Sequence, residues 1–305
     1  DETSCVGVLG VNPDENRTFI AMAAHFRAQG IAVPEVYAVS EDAVAYIQED
    51  LGDTALFGIV GSEGSEELLC RTVRCLPDIQ FKGADGFDFS VCHSVRRFDR
   101  RLVLFDLNYF KYCFLKATGL EFQEDKLENE FERLAYILLQ NRMNAFMYRD
   151  FQSRNVMVCK KDDGTEVPYF IDFQGGRRGP IYYDVASFVY QARARYPQWL
   201  KEKMLESYLS ALGQYMEVDR PYFDERLRLF VLFRTLQVLG AYGFRGLVEN
   251  KAQFVVSIPP AIEGLKELLR VPFESYPYLN EVLGRMADIQ KFSAPASDGK
   301  LEVKV

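Results

Sequence analysis

The stretch that decides the fold is "YRDFQSRNVMVCKKDDGTEVPYFIDFQGG", residues 148–176. Its first eight residues hold two arginines, an aspartate, a glutamine and an asparagine, set between a helical pattern and an apolar run. From Asn155 the chain reads apolar, then turns through "KKDDG", then runs apolar again through "EVPYFIDF". That composition predicts a β-hairpin over residues 155–173. A hairpin closes its own ends, so Asn155 at the start and Asp172 at the finish are expected to meet. Asp150 falls on the crest of the loop before it. "RD" and "DF" are each common pairs, and a polar loop by itself means little. The joint order, spacing and intervening hairpin are far rarer.

That order matches the protein-kinase pattern of Arg-Asp, four residues, Asn, a strand–turn–strand and then Asp-Phe. In such a pattern Asp150 takes the proton of a substrate hydroxyl. Asn155 and Asp172 reach one Mg2+ ion, a hard cation that prefers oxygen ligands and leaves room for water and phosphate.

The bulk composition sets limits. The 305 residues are enough for one large domain or two lobes with substantial cores. With 48% hydrophobic and 26% charged residues, the chain reads as ordinary globular protein. The 24 Phe and 17 Tyr are taken as core packing. A net charge of -8 argues against nucleic acid and anionic membrane surfaces as partners. The six cysteines form no CxxC pair and the two histidines lack zinc-ligand spacing, so a reducing, cytoplasmic setting without structural zinc is expected. The cysteines are read as buried small apolar residues. No uninterrupted apolar run approaches about 18 residues, so no membrane span is predicted. The sequence begins at Asp1 rather than Met, which leaves room for a missing N-terminal part.

Along the chain, "SCVGVLG" is β-like. "NPDENRTFIAMAAHFRAQG" is a helix with Asn12 as cap, Pro13 in the first turn, Glu15 at capping-box spacing, Phe19, Ala23 and Phe26 on one face and Gly30 as stop. "PEVYAVS" and "AVAYIQEDLG" form a hairpin around "SEDA". Helices are predicted over 64–76, 99–119 and 126–145, with an irregular segment at 77–98. After the catalytic hairpin, "QGGRRGP" reads as a loop, and helices follow near 183–195, 197–216, 222–245, 258–270 and 277–290.

"YRDFQSRNVMV…YFIDFQGGRRGPIYYDVASFVYQ" resembles the aminoglycoside phosphotransferase/choline kinase-like superfamily. It is most similar to the branch of bacterial kinases that phosphorylate N-acetylmuramate and N-acetylglucosamine at the anomeric carbon. "GIAVPEVYAVSEDAVAYIQEDLGD" resembles that branch's strand and hinge, and the likeness spans roughly residues 5–290. It implies an α+β, two-lobed, protein-kinase-like fold with a truncated N-lobe and a mainly helical C-lobe. The expected division is 1–53 for the N-lobe remnant and hinge, 54–290 for the C-lobe with the catalytic hairpin, and 291–305 for a linker leading to a further, sensing domain. The implied function is phosphoryl transfer from ATP, with Mg2+, to a small-molecule hydroxyl, an amino sugar first. An aminoglycoside or amino-alcohol kinase and a non-catalytic nucleotide- or sugar-sensing module are the alternatives.

Carried over by position, Asp150 is the catalytic base, and Asn155 and Asp172 are the metal ligands. Glu49, Asp50 and Leu51 supply hinge backbone to the nucleotide. Arg149, Arg154, Gln174 and Asp184 are supporting, phosphate or substrate candidates, with Asp184 steadying the catalytic loop from a helix start. The sequence departs from the kinase pattern at three places. Tyr148 stands where a His is usual, and its hydroxyl is expected to make a similar supporting hydrogen bond. The strand "CVGVLG" carries no lysine, and no glycine-rich loop precedes it, by truncation, disorder or degeneration of the nucleotide site. Arg177 and Arg178 are read as a solvated loop, Asp85 and Asp88 as solvated carboxylates, His25 as a packed side chain, and the aromatics of 105–115 as core.

Overall fold

A computed structural model describes residues 4–93, 95–140, 144–161 and 163–289; the expected linker lies outside them. The chain forms two compact units, Asp1–Phe98 with Asn141–Leu227 and Asp99–Gln140 with Arg228–Val305. The expected border at residue 53 falls inside the first unit, after its N-terminal sheet.

The first unit opens with strand β1 (Cys5–Leu9) and helix α1 (Pro13–Ala28). Asn12 caps α1 by accepting from Asp14 N at 3.2 Å and Glu15 N at 3.4 Å. The helix ends at Gly30, whose φ of +75° is left-handed, and Ile31 N closes back on Phe26 O at 2.9 Å. Its buried face carries Phe19, Met22, Ala23 and Phe26. Strands β2 (Val36–Val39) and β3 (Ala45–Glu49) form the predicted hairpin. β1 pairs with β3 from Cys5↔Glu49 to Leu9↔Ala45, giving an antiparallel sheet of order β1–β3–β2.

A short helix α2 (Leu56–Ile59) precedes α3 (Ser65–Phe81). The helix predicted over 64–76 runs on through Pro77 to Phe81. A proline inside a helix loses one backbone hydrogen bond. Here burial beyond it offsets that loss: Leu76, Pro77, Ile79 and Gln80 are all buried. Gln80 donates to Ile181 O at 2.9 Å and accepts from Tyr208 Oη at 2.8 Å, which anchors the last turn. The irregular segment is correspondingly shorter than predicted.

The second unit begins with α4 (Arg100–Phe110), capped by Asp99, whose carboxylate accepts from Leu102 N at 2.8 Å. Wide turns over Lys111–Leu115 carry the helix on, and a tight turn ends at Gly119 with φ +79°. Helix α5 (Glu124–Gln140) stops short of the predicted 145, because Ala145 already belongs to a strand.

That strand, β4 (Ala145–Met147), returns the chain to the first unit. β5 (Val156–Lys160) and β6 (Glu166–Phe170) are the predicted catalytic hairpin, in antiparallel register from Val156↔Phe170 to Lys160↔Glu166. Its flanks are tied in: Phe170 N donates to Ala32 O at 2.9 Å and Val158 N to Thr54 O at 2.8 Å. The expected "QGGRRGP" loop contains β7 (Arg177–Gly179), which pairs with β4 through Ala145↔Gly179, Phe146↔Arg178 and Met147↔Arg177. Helices α6 (Tyr182–Val189) and α7 (Gln198–Leu212) follow, then α8 (Arg220–Tyr242). Residues Arg220–Val248 have the length and apolar content of a bilayer crossing, yet most of that apolar window is buried inside the protein.

The second unit is completed by the C-terminal half of α8, α9 (Ala252–Val255), α10 (Ile258–Leu269) and α11 (Pro277–Ala287). Its core holds Leu107, Phe110, Phe114, Phe131 and Leu134. Phe105 and Tyr112 stay exposed, so only one face of the 105–115 stretch is core. The buried carboxylate of Glu130 caps α11, accepting from Tyr278 N at 3.1 Å and Leu279 N at 2.6 Å. Small sheets within a mainly helical chain bear out the predicted α+β class.

Candidate active site

All the candidate site residues lie in the first unit. β4 delivers the chain into the loop Tyr148-Arg149-Asp150, and this loop is fixed from below. Asp184, fully buried in the first turn of α6, accepts from Tyr148 N at 2.7 Å and from Arg149 N at 2.8 Å. A carboxylate at a helix start also faces the positive end of the helix dipole. Arg149 is held at φ +78°, a conformation that side-chain-bearing residues adopt only when their surroundings impose it. Tyr148 is buried, and its hydroxyl donates to Ile171 O at the end of the hairpin. Burial raises its phenol well above the ordinary tyrosine value, with Asp172, Asp184 and Asp150 adding to the shift. The neutral hydroxyl is therefore a durable donor, and it fills the supporting role expected of Tyr148.

The hairpin brings Asn155 and Asp172 together. Asn155 is buried, and its Nδ2 donates to Asp172 Oδ2 at 3.0 Å and to Asp150 O at 2.8 Å. One amide thus joins the loop crest to the end of the return strand. Ile171 N donates to Asn155 O at 3.1 Å, closing the same junction through the backbone. Asp172 also sits in the left-handed region, at φ +65°. Its carboxyl is shifted up, first by burial and then by the negative charge of Asp150; Gln174, Arg154 and Asn155 pull it down. Asp150 and Asp172 are therefore near enough to repel. Arg154, exposed on the turn Ser153–Asn155, is near enough to act on Asp172 by charge. Arg149 lies alongside the Gly175 backbone.

Gln174 joins the 172–176 segment to α1. Its Nε2 donates to Asp172 Oδ1 at 3.0 Å and to Glu15 Oε1 at 3.4 Å. Glu15 was read as a capping-box residue; its carboxylate instead meets the site. The rings agree with this docking: Phe173 stacks on Phe19 of α1 at 4.7 Å and 9°, and meets Phe26 edge-on at 5.3 Å.

Leu51 is placed against the outgoing strand of the β5–β6 hairpin, next to Glu49 and Asp50 in the chain. Leu51 O accepts from the Cys159 thiol at 3.6 Å. Asp50 accepts from Ser4 Oγ at 2.6 Å and Gly52 N at 2.9 Å, and these bonds hold its carboxyl below the ordinary range. Glu49 accepts from Glu35 N at 3.1 Å.

Two readings are corrected. Arg177 is not on a solvated loop: at 1% exposure it is among the most buried side chains of the described residues, and its Nε and Nη2 donate to Gly175 O at 3.2 and 3.1 Å. Arg178 lies over the Phe89 ring at 4.6 Å. The cysteines are not uniformly buried, since Cys5 is exposed and Cys75, Cys113 and Cys159 are partly so. Asp88 is exposed, as read, and also caps a short turn by accepting from Ser90 N at 2.8 Å and Ser90 Oγ at 2.6 Å. Among the described residues, no group of three or more His, Cys, Asp or Glu is arranged to hold a metal by itself.

Residues 9–222 match the model of the phosphotransferase enzyme family. The chain is 21% identical over 287 residues to a Pseudomonas putida protein named N-acetylmuramate/N-acetylglucosamine kinase, covering 91% of this chain and 76% of that one. A choline/ethanolamine kinase family protein from Mesorhizobium loti is similar in structure, with TM-score 0.57, 13% identity and coverage of 89% and 83%. Aminoglycoside 2'-phosphotransferase-IIIa, solved with GDP, is similar with TM-score 0.53, 14% identity and coverage of 86% and 83%. These structural likenesses carry the protein-kinase-like fold.

Proposed function

Because the chain belongs to the phosphotransferase enzyme family, we propose that it transfers the terminal phosphoryl group of ATP to a hydroxyl of a small amino sugar. The observation that carries the reading is the Asn155 amide, donating at once to Asp172 Oδ2 at 3.0 Å and Asp150 O at 2.8 Å. It joins an acid at the loop crest to a second acid at the end of the return strand. The choice of acceptor follows the name of the Pseudomonas putida relative.

In this reading Asp150 accepts the acceptor's hydroxyl proton as the oxygen forms its bond to the terminal phosphorus. The bond from that phosphorus to the bridging oxygen breaks, and ADP leaves. Asp184 holds the backbone under Asp150, so the base needs no reorganisation during transfer. Arg154 offers positive charge beside Asp172, and Glu49, Asp50 and Leu51 offer hinge backbone to the base of the nucleotide. Positioning and charge neutralisation do most of the work.

Asn155 and Asp172 would hold Mg2+. The donor set fits: two side chains with oxygen atoms at one junction, one of them a carboxyl raised by burial and by a neighbouring like charge. Such an ion would supply positive charge against the phosphate oxygens during transfer.

The test is a screen of ATP consumption by the full chain over N-acetylmuramate, N-acetylglucosamine, aminoglycosides and amino alcohols. Phosphorus NMR of the product then fixes the phosphorylated position. Turnover with the amino sugars supports the proposal. Turnover with an aminoglycoside or amino alcohol alone overturns the acceptor, and ATP binding without turnover on any acceptor overturns the enzymatic role.

A further inference from the structure

Arg177 has no place in the mechanism above, yet the structure spends a full guanidinium on a position with almost no solvent. Burying a cation is unfavourable unless its donors are used. Two of them, Nε and Nη2, converge on the Gly175 carbonyl at 3.2 and 3.1 Å. Gly175 lies three residues after Asp172, inside the turn that carries it. Nothing else about this turn is loose. Gly176 N donates to Phe173 O at 2.8 Å, and Gly176 is so close to the Phe146 ring that any side chain there would collide. Arg177 itself is fixed by its backbone pairing with Met147, the residue just before the catalytic loop.

Asp172 stands at φ +65°, a conformation that persists only where the surroundings over-determine it. Its own side-chain bonds, from Asn155 and Gln174, orient the carboxylate. They do not hold the backbone after Phe173. The Arg177 fork does, by closing the turn from its far end onto the strand that leads to Asp150. A lysine offers no planar fork and could not bring two fixed donors to one carbonyl in this way.

We infer that Arg177 is a positioning residue for the metal aspartate: by holding the Gly175 carbonyl it fixes the 172–176 turn and with it the Asp172 carboxylate. The inference rests on the reading of Asp172 as a metal ligand.

The test uses the full chain and Mn2+ as probe, with bound ion followed by EPR in the presence of ATP, alongside the Mg2+ dependence of turnover. Arg177→Met removes the fork at similar volume, and Arg177→Lys keeps the charge without the fork. Outer-shell partners of metal ligands are typically worth about 10–100-fold in metal affinity. The expected result is an approximately tenfold or greater loss of Mn2+ affinity in R177M, a smaller loss in R177K, and a matching rise in half-saturating Mg2+. The KM for ATP at saturating metal stays near that of the unmodified chain. If R177M is folded by circular dichroism but binds Mn2+ normally, the inference is overturned; should R177M not fold, unchanged affinity in R177K overturns it equally. Asp172→Asn separates the two levels. Normal Mn2+ binding in D172N would sink the reading of Asp172, whereas loss in D172N without loss in the Arg177 variants sinks only the role of Arg177.

Discussion

The catalytic hairpin and the N-terminal sheet are both antiparallel β-structure in the same unit, and they are finished in opposite ways. The hairpin buries Val156, Val158 and Phe170, is bonded on both flanks, and ends at the Asn155–Asp172 junction, which Gln174 ties to Glu15 of α1. The N-terminal sheet leaves Val6, Leu9, Tyr37, Val39 and Ile47 exposed, and none of its three strands carries a Lys or Arg. One helix serves both. Phe19 of α1 stacks on Tyr46 of the sheet at 5.2 Å and on Phe173, just after the hairpin, at 4.7 Å. The polar and charged side chains therefore cluster at the hairpin, while the sheet presents apolar surface. No cation stands on the sheet's strands, and Arg154, next to the hairpin, is a positive charge near Asp172.

The sharpest way to break this contrast is to remove charge at the hairpin. Asp150→Asn is expected to lower kcat by about 10²–10⁴-fold, the usual worth of a positioned base, with Mg-ATP binding retained in a calorimetric titration. Near-normal turnover would show that Asp150 is not the base. The same variant probes the repulsion between the two acids. In the unmodified chain the Asp172 carboxyl is raised, first by burial and then by Asp150. Protonation competes with metal binding, so Mn2+ affinity should fall as pH drops through that raised value. Removing the Asp150 charge lowers the Asp172 pKa, so the midpoint of the Mn2+ titration should move to lower pH in D150N. An unmoved midpoint would mean that burial alone sets the shift.

A smaller effect is expected one layer below. Asp184 takes two backbone donors in a site closed to solvent. Asp184→Asn keeps the shape but trades one accepting oxygen for an NH2 group. Losing one hydrogen bond to a charged partner costs about 1.5–3 kcal/mol. Urea unfolding should register that loss, and kcat should fall with it, because the Arg149 conformation depends on the same carboxylate. A stability loss with unchanged kcat would make Asp184 purely structural.

The contrast also explains what could be read from the sequence. The hairpin announces itself locally: two apolar runs around a "KKDDG" turn fix its register, and the register alone brings Asn155 to Asp172. The N-terminal sheet and α1 are legible for the same reason, through a cap, a periodic face and a stopping glycine. β4 and β7 are not, because three residues carry no periodicity and their pairing joins segments about 30 residues apart. With β7 unseen, Arg177 looked like a loop residue. The meeting of Glu15 with Gln174 spans 159 residues and leaves no local trace, while the capping-box spacing of Glu15 offered a plausible local partner. The α3 helix, predicted to end at 76, runs on to Phe81 because tertiary burial of its last turn, which the sequence pattern does not display, outweighs the cost of a proline inside it.

The smallest expected effect tests the other side of the comparison. Ile47 lies in the central strand β3 and is 41% exposed, paired on its flanks with Gly7 and Ala38. Neither neighbour has a side chain large enough to cover it. Ile47→Thr keeps the β-branched shape that suits a strand and exchanges a methyl-bearing carbon for a hydroxyl on an open face. Substitutions at such positions usually stay within about 0.5 kcal/mol. Urea unfolding should therefore show little change in I47T, in contrast to the loss expected in D184N. A cost well above about 1 kcal/mol would mean that this face of the sheet is covered in solution, because only burial makes the loss of apolar surface at one residue that expensive. The sheet would then be an interior layer like the hairpin, and the contrast between the two would disappear.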